Sequence, residues 1–179
     1  DAVAALGKMQ QAFEQYPVER TPQDFEYLVR ACLETGKTAN ARILVGDFDA
    51  YVEKHPEDRE RLQRTAALWG DALYNAGDYR GALDAYAHAV PKQHEPKENE
   101  NTEDSATEEQ APLSRDAIWA KYQRANAMLK LDDYSSSLAI LDELAASDTP
   151  YAEDARIKAE YARLEQRMRG GPQIVGQGG

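Results

Sequence analysis

Small and apolar residues recur along this chain at fixed offsets. Counted from Gly70, Gly77 lies 7 residues on, Ala82 12 on, Tyr86 16 on and Ala89 19 on. From Val29 the same offsets reach Gly36, Ala41, Val45 and Phe48, and from Ala125 they reach Asp132, Ser137, Leu141 and Leu144. Steps of three and four place residues on one face of a helix. Each set therefore predicts a helix, a tight turn and a second helix. The small residue of the first helix meets a small residue of the second where the backbones cross, which sets Gly70 opposite Ala82.

The punctuation agrees. "ETGKT" (34–38), "NAGDY" (75–79) and "KLDDY" (130–134) each put Gly or Asp where one helix must stop and another start. Thr21-Pro22, followed by Asp24, reads as a capping hydroxyl before a proline at the first helical position. Thr149-Pro150 repeats the device, and Ser114 is a further candidate cap.

The ends read as partial units. Ala5, Met9, Ala12 and Pro17 match the second helix of a unit whose first helix is missing, and Ala155, Ala159 and Ala162 mark a terminal helix. Ala125 to Ala159 is 34 residues, the period of a common helix–turn–helix repeat. Val29 to Gly70 is 41 and Gly70 to Ala125 is 55. The surplus in the last interval falls in "PKQHEPKENENTEDSATEEQAP" (91–112), which has no aliphatic residue larger than Ala. Such a segment cannot bury enough apolar surface to offset its ordering entropy. The expected organisation is a single array over 1–169. It comprises a trailing half-repeat (1–17), repeats at 21–56 and 62–90, a disordered acidic insertion (91–113), a repeat at 114–149 and a terminal helix (150–169). A flexible tail follows (170–179).

Composition narrows the function classes. The 179 residues carry 32 acidic and 21 basic side chains, a net charge of −11. That surface repels nucleic acid and anionic lipid, and favours partners with basic or mixed surfaces. No run of about 18 apolar residues exists, so no membrane insertion is expected from this stretch. The chain begins with Asp1, so a truncated N-terminus is expected. One cysteine, Cys32, rules out an internal disulfide.

No constellation of residues points to catalysis, a cofactor or a metal. His55, His88 and His94 lack ligand spacing. Cys32 occupies an apolar position of a first helix, with no His nearby in sequence to activate it. "ETGKT" shares residues with a phosphate-binding loop, but its first Gly and preceding strand are missing. Trp69, beside Gly70, reads as core.

Gly70, Leu73, Gly77-Asp78-Tyr79, Ala82, Tyr86 and Ala89 closely resemble the tetratricopeptide repeat. The first unit departs with Lys37-Thr38 after its Gly. The third departs with Asp132 for the turn Gly and Leu144 for the final Ala. "ALWGDALYNAGDYRGALDAYAHAV" and "SDTPYAEDARIKAEYARL" further resemble repeats of bacterial envelope proteins, the TolA-binding cell-division coordinators and outer-membrane assembly lipoproteins. The resemblance implies an all-α fold, a right-handed superhelical stack of antiparallel helix pairs. It also implies a periplasmic scaffold, part of a larger envelope protein.

In such a stack the first helices line the concave face. The expected groove takes Tyr27, Arg30 and Leu33 from the first unit, and Leu68, Asp71, Tyr74 and Asn75 from the second. The third unit gives Trp119, Tyr122, Gln123 and Asn126, and the terminal helix Arg156 and Glu160. Trp119 and Tyr122 are expected to be exposed anchors for a peptide or helix. Chaperone-binding members of the family clamp a C-terminal carboxylate with groove Lys and Asn. Here only Arg30 and Asn126 suit that task, and Asp71 opposes it. The expected function is a non-enzymatic protein-interaction scaffold, able to self-associate end to end through its half-repeats. The alternative is a cytoplasmic co-chaperone or regulatory adaptor acting partly through the acidic loop.

Overall fold

The structure, a computed structural model, describes residues 20–90 and 113–169, together with residues 4, 7–9 and 11–12. Most of the expected half-repeat, the acidic insertion and the tail lie outside the described residues. The described residues are all-helical, without strands: α1 (Pro22–Glu34), α2 (Thr38–Val52), a 3-10 turn (Pro56–Asp58), α3 (Arg59–Asn75), α4 (Tyr79–Ala89), α5 (Arg115–Lys130), α6 (Tyr134–Ala145) and α7 (Ala152–Arg169).

Local chemistry sets most of the boundaries. Thr21 and Asp24 form a reciprocal capping box, with Pro22 opening α1. The Ser114 hydroxyl accepts from the Ala117 N–H at 3.1 Å. Asp78 and Asp133 cap α4 and α6 by accepting from Gly81 N–H at 2.9 Å and Ser136 N–H at 3.2 Å. Thr149-Pro150 does not open its helix. α7 starts two residues later at Ala152, whose N–H donates to the Thr149 carbonyl at 3.1 Å.

The three turns are equivalent. Gly36, Gly77 and Asp132 all have positive φ (70°, 81° and 61°). In each turn the following N–H returns to a carbonyl five residues back: Lys37 to Cys32 at 2.8 Å, Asp78 to Leu73 at 2.9 Å and Asp133 to Met128 at 3.0 Å. This is the left-handed helix stop that glycine favours and Asp tolerates.

Packing follows the offsets read from the sequence. Val29, Ala41, Val45 and Phe48, then Gly70, Ala82, Tyr86 and Ala89, then Ala125, Ser137, Leu141 and Leu144 are all buried. One detail differs. Gly70 faces the Tyr86 ring rather than Ala82: a Cβ there would lie 2.4 Å from Tyr86 Cε1. The glycine is needed because an aromatic ring, not a small side chain, fills the crossing. Phe25 stacks on Phe48 with centroids 4.8 Å apart, and Trp69 is 2 % exposed. Met9 packs against this same core. Each large side chain so buried stabilises the fold by about 1.5–3 kcal/mol.

Each helix packs on the next. The first helices also pack on one another, α1 on α3 and α3 on α5, whereas of the second helices α2 touches α4 only marginally. The ion pair of Glu26 with Arg64, at 2.6 Å, ties α1 to α3.

Candidate functional site

The offset of 41 that relates Gly70 to Val29 also relates Leu68 to Tyr27 and Asp71 to Arg30, and the offset of 55 carries these on to Gln123 and Asn126. These residues therefore occupy equivalent positions on successive packed helices. Their environments differ sharply from one end of the face to the other.

At the α1 end the face is open. Tyr27 is 51 % exposed and Leu68 41 %. Arg30 is exposed as well, and Asn75 lies exposed at the end of α3. A cleft of about 480 Å³ is lined by Met9, Gln23, Asp24, Glu26, Tyr27 and Arg30. Its two apolar walls, Met9 and Tyr27, are flanked by both signs of charge.

The middle is a polar knot. The Asp71 carboxylate accepts from the Tyr86 hydroxyl at 2.7 Å and from the Trp119 indole N–H at 3.1 and 3.2 Å. Burial first, and the adjoining Asp71 carboxylate second, push the Tyr86 hydroxyl well above the ordinary tyrosine range. Beside it Tyr74 meets Tyr79 edge to face at 5.2 Å. Burial also raises the Tyr74 pKa.

The α5 end is closed. Tyr122 is 7 % exposed, so it is not an anchor presented to solvent. It stacks on Tyr151 at 4.9 Å, and Trp119 lies 6.0 Å and 5.5 Å from these two rings. Lys158 sits over the Tyr122 ring, 4.5 Å from its centroid. The same ammonium pairs with Asp154 at 3.1 Å and donates to the Asn126 side-chain carbonyl at 2.8 Å. The Tyr122 hydroxyl bonds Asp154 and Lys158. Asn126 is itself buried and donates to Gln123 at 2.8 Å. Trp119 and Tyr122 therefore spend their surface on the joint between α5 and the segment leading into α7.

Arg156 stands apart from this cluster. It pairs with Glu153 on its own helix. Lys158, two positions on, is the residue that faces Tyr122, and positions two apart lie about 200° apart around a helix. Of the two basic residues, Lys158 and not Arg156 joins the Tyr122 cluster, together with Tyr151 and Asp154, neither of which was expected there. The signal for Tyr151 was the "TPYAED" opening, where the aromatic precedes the helix and reaches back toward α5.

The remaining candidates have structural surroundings. Cys32 is fully buried, and burial pushes its thiol pKa up, away from nucleophilic character. His88 Nδ1 lies 3.2 Å from Asp49, and His55 stacks on Tyr51 at 4.3 Å. His94 lies outside the described residues. Among the described residues no cluster of three or more His, Cys, Asp or Glu side chains is placed to hold a metal ion. No described helix is long and apolar enough to cross a membrane.

Comparisons with protein-family models, curated proteins and solved structures find no match.

Proposed function

We propose that the chain is a tetratricopeptide-like scaffold, a right-handed superhelical stack that binds an extended or helical segment of a partner protein along its first helices. The tighter association of the first helices supports their lying on the inside of the curve. The observation that carries the reading is the exposure of Tyr27 and Leu68 at equivalent positions of two adjoining helices, beside the exposed Arg30. Two neighbouring apolar side chains flanked by charge suit an amphipathic peptide. The binding face is then the α1–α3 half of the expected groove. At the α5 end the aromatics are committed to one another, and Asp71 and Asn126 have internal partners. A carboxylate clamp is not built there.

The experiment is selection from a displayed peptide library, followed by titration of enriched peptides against variants. Tyr27→Ala with Leu68→Ala should weaken binding at least tenfold, corresponding to about 1.4 kcal/mol or more. Glu143→Lys, on the outer surface of α6, should change it little. Equal loss in both variants, or loss only in the second, would remove the site from this face.

A further inference from the structure

Helix α7 packs one side of its surface and leaves the other bare. Ala155, Ala159 and Ala162 are buried, and the helix packs on α6. Diametrically opposite, Ile157, Tyr161, Leu164 and Met168 are 60, 53, 49 and 65 % exposed. Their spacing of four, three and four residues is that of the apolar seam in a two-helix coiled coil. Scattered exposed hydrophobics need no explanation, but a continuous stripe marks an interaction surface.

The charges beside the stripe identify its occupant. We infer that α7 pairs antiparallel with α7 of a second copy of this chain. In the register that sets Tyr161 against the partner's Leu164, Ile157 meets the partner's Met168, and two-fold symmetry repeats both contacts. On one flank Glu160 then faces the partner's Arg167. On the other Lys158 faces the partner's Glu165. All four flanking contacts of the symmetric pair join opposite charges. Parallel pairing would instead set Glu160 against the partner's Glu165, like against like.

Arg167 is ready for this contact. Among the described residues it has no carboxylate partner, and its Nε–H donates to the Arg163 carbonyl at 3.3 Å. Glu160 is held by Arg163 at 2.7 Å but keeps a side-chain exposure of 67 %. Lys158 already serves Asp154 and Asn126, so specificity falls mainly on the flank of Glu160 and Arg167. The global charge agrees. The chain carries −11, yet α7 holds five basic and four acidic residues, so two copies can approach here without the repulsion that other faces impose. One helix per copy buries an area near the lower limit for a stable interface, so the dimer is weak and reversible.

Sedimentation velocity of the full chain over a roughly hundredfold concentration range tests this. The expected result is a concentration-dependent monomer–dimer equilibrium. Tyr161→Glu should abolish it with the helical circular dichroism unchanged, because that side chain is exposed. Glu160→Arg should weaken the dimer about tenfold or more, and adding Arg167→Glu should restore it by exchanging the two charges across the symmetry axis. A wild-type chain that stays monomeric throughout overturns the inference, as does a dimer indifferent to Tyr161→Glu or to the charge exchange. A chain that dimerises only after Ile174→Asp with Val175→Asp overturns it too, and assigns the stripe to the chain's own C-terminal residues.

Discussion

Asp71 and Trp119, 48 positions apart in the chain, meet where α3 packs on α5, and one carboxylate receives both the indole N–H and the Tyr86 hydroxyl. One side chain thereby gathers a donor from its own helix pair and a donor from the next. Removing it strands two donors in part-buried surroundings, and hydrogen bonds to a charged group contribute about 1.5–3 kcal/mol each. Asp71→Ala should lower stability in urea by about 2–4 kcal/mol. Asp71→Asn, which keeps an acceptor, should cost clearly less. A neutral Asp71→Ala would show that the contact contributes no net stability.

Gly70 admits no side chain. Its missing Cβ would stand 2.4 and 2.5 Å from two carbons of the Tyr86 ring, which is fully buried and anchored to Asp71. Gly70→Ala should therefore destabilise by about 1–3 kcal/mol, although alanine is the better helix former. Thermal melts of this variant and of Gly70→Ala with Tyr86→Phe separate the ring clash from loss of the hydroxyl. Partial recovery in the double variant would mean that the Asp71 anchor prevents the ring from yielding.

Tyr86 also sets an alkaline limit. Its folded pKa lies above the free value of 10.0. Its contribution is fully present below the unfolded pKa and falls away as pH rises from there toward the folded pKa, because the unfolded chain releases the proton first. Stability should decline above about pH 10, and less so in Tyr86→Phe. Tyrosinate absorbance followed alongside circular dichroism should show a late-titrating component that ionises with unfolding and is reduced in Tyr86→Phe.

Asp132 works in the opposite direction. The Arg169 guanidinium, at 2.9 Å, holds its carboxyl below the ordinary value of 3.8, and the Tyr134 hydroxyl adds a hydrogen bond at 2.8 Å. This contribution is present above the unfolded pKa and disappears as pH falls through the folded one. Asp132→Asn keeps a residue tolerant of positive φ but loses the charge. Its melting temperature should lie below wild type at neutral pH, and the gap should close below about pH 4.

Tyr27 and Tyr122 should behave as opposites. Tyr122 is buried among Trp119, Tyr151 and Lys158, so Tyr122→Ala opens a cavity and should cost about 3–5 kcal/mol. Tyr27→Ala removes an exposed ring and should leave stability within about 0.5 kcal/mol while weakening peptide capture. Calorimetry and peptide titration of the two variants decide which is the structural tyrosine and which the binding one.

The offsets of small and apolar residues, the turn residues Gly36, Gly77 and Asp132, and the caps at Thr21 and Ser114 were legible in the sequence. Their physics is local. Helical periodicity, left-handed backbone and a hydroxyl three residues from an N–H depend on chain neighbours alone. Which part of the first-helix face stays open depends on more than that. Trp119 and Tyr122 belong to the same expected groove as Tyr27 and Leu68, yet the counterpart of those two on α5 is Gln123, and Tyr122, one position earlier, is turned into the packing. What covers Tyr122 is Tyr151 and Lys158, brought back onto α5 by a chain reversal about 30 residues later. Gly70 teaches the same lesson at smaller scale. Its need for a small residue was evident from spacing, but the identity of its neighbour, a ring rather than a methyl, depends on the rotation of two helices about their axes. Burial is a property of what packs across a gap, and helical spacing specifies only which residues share a face.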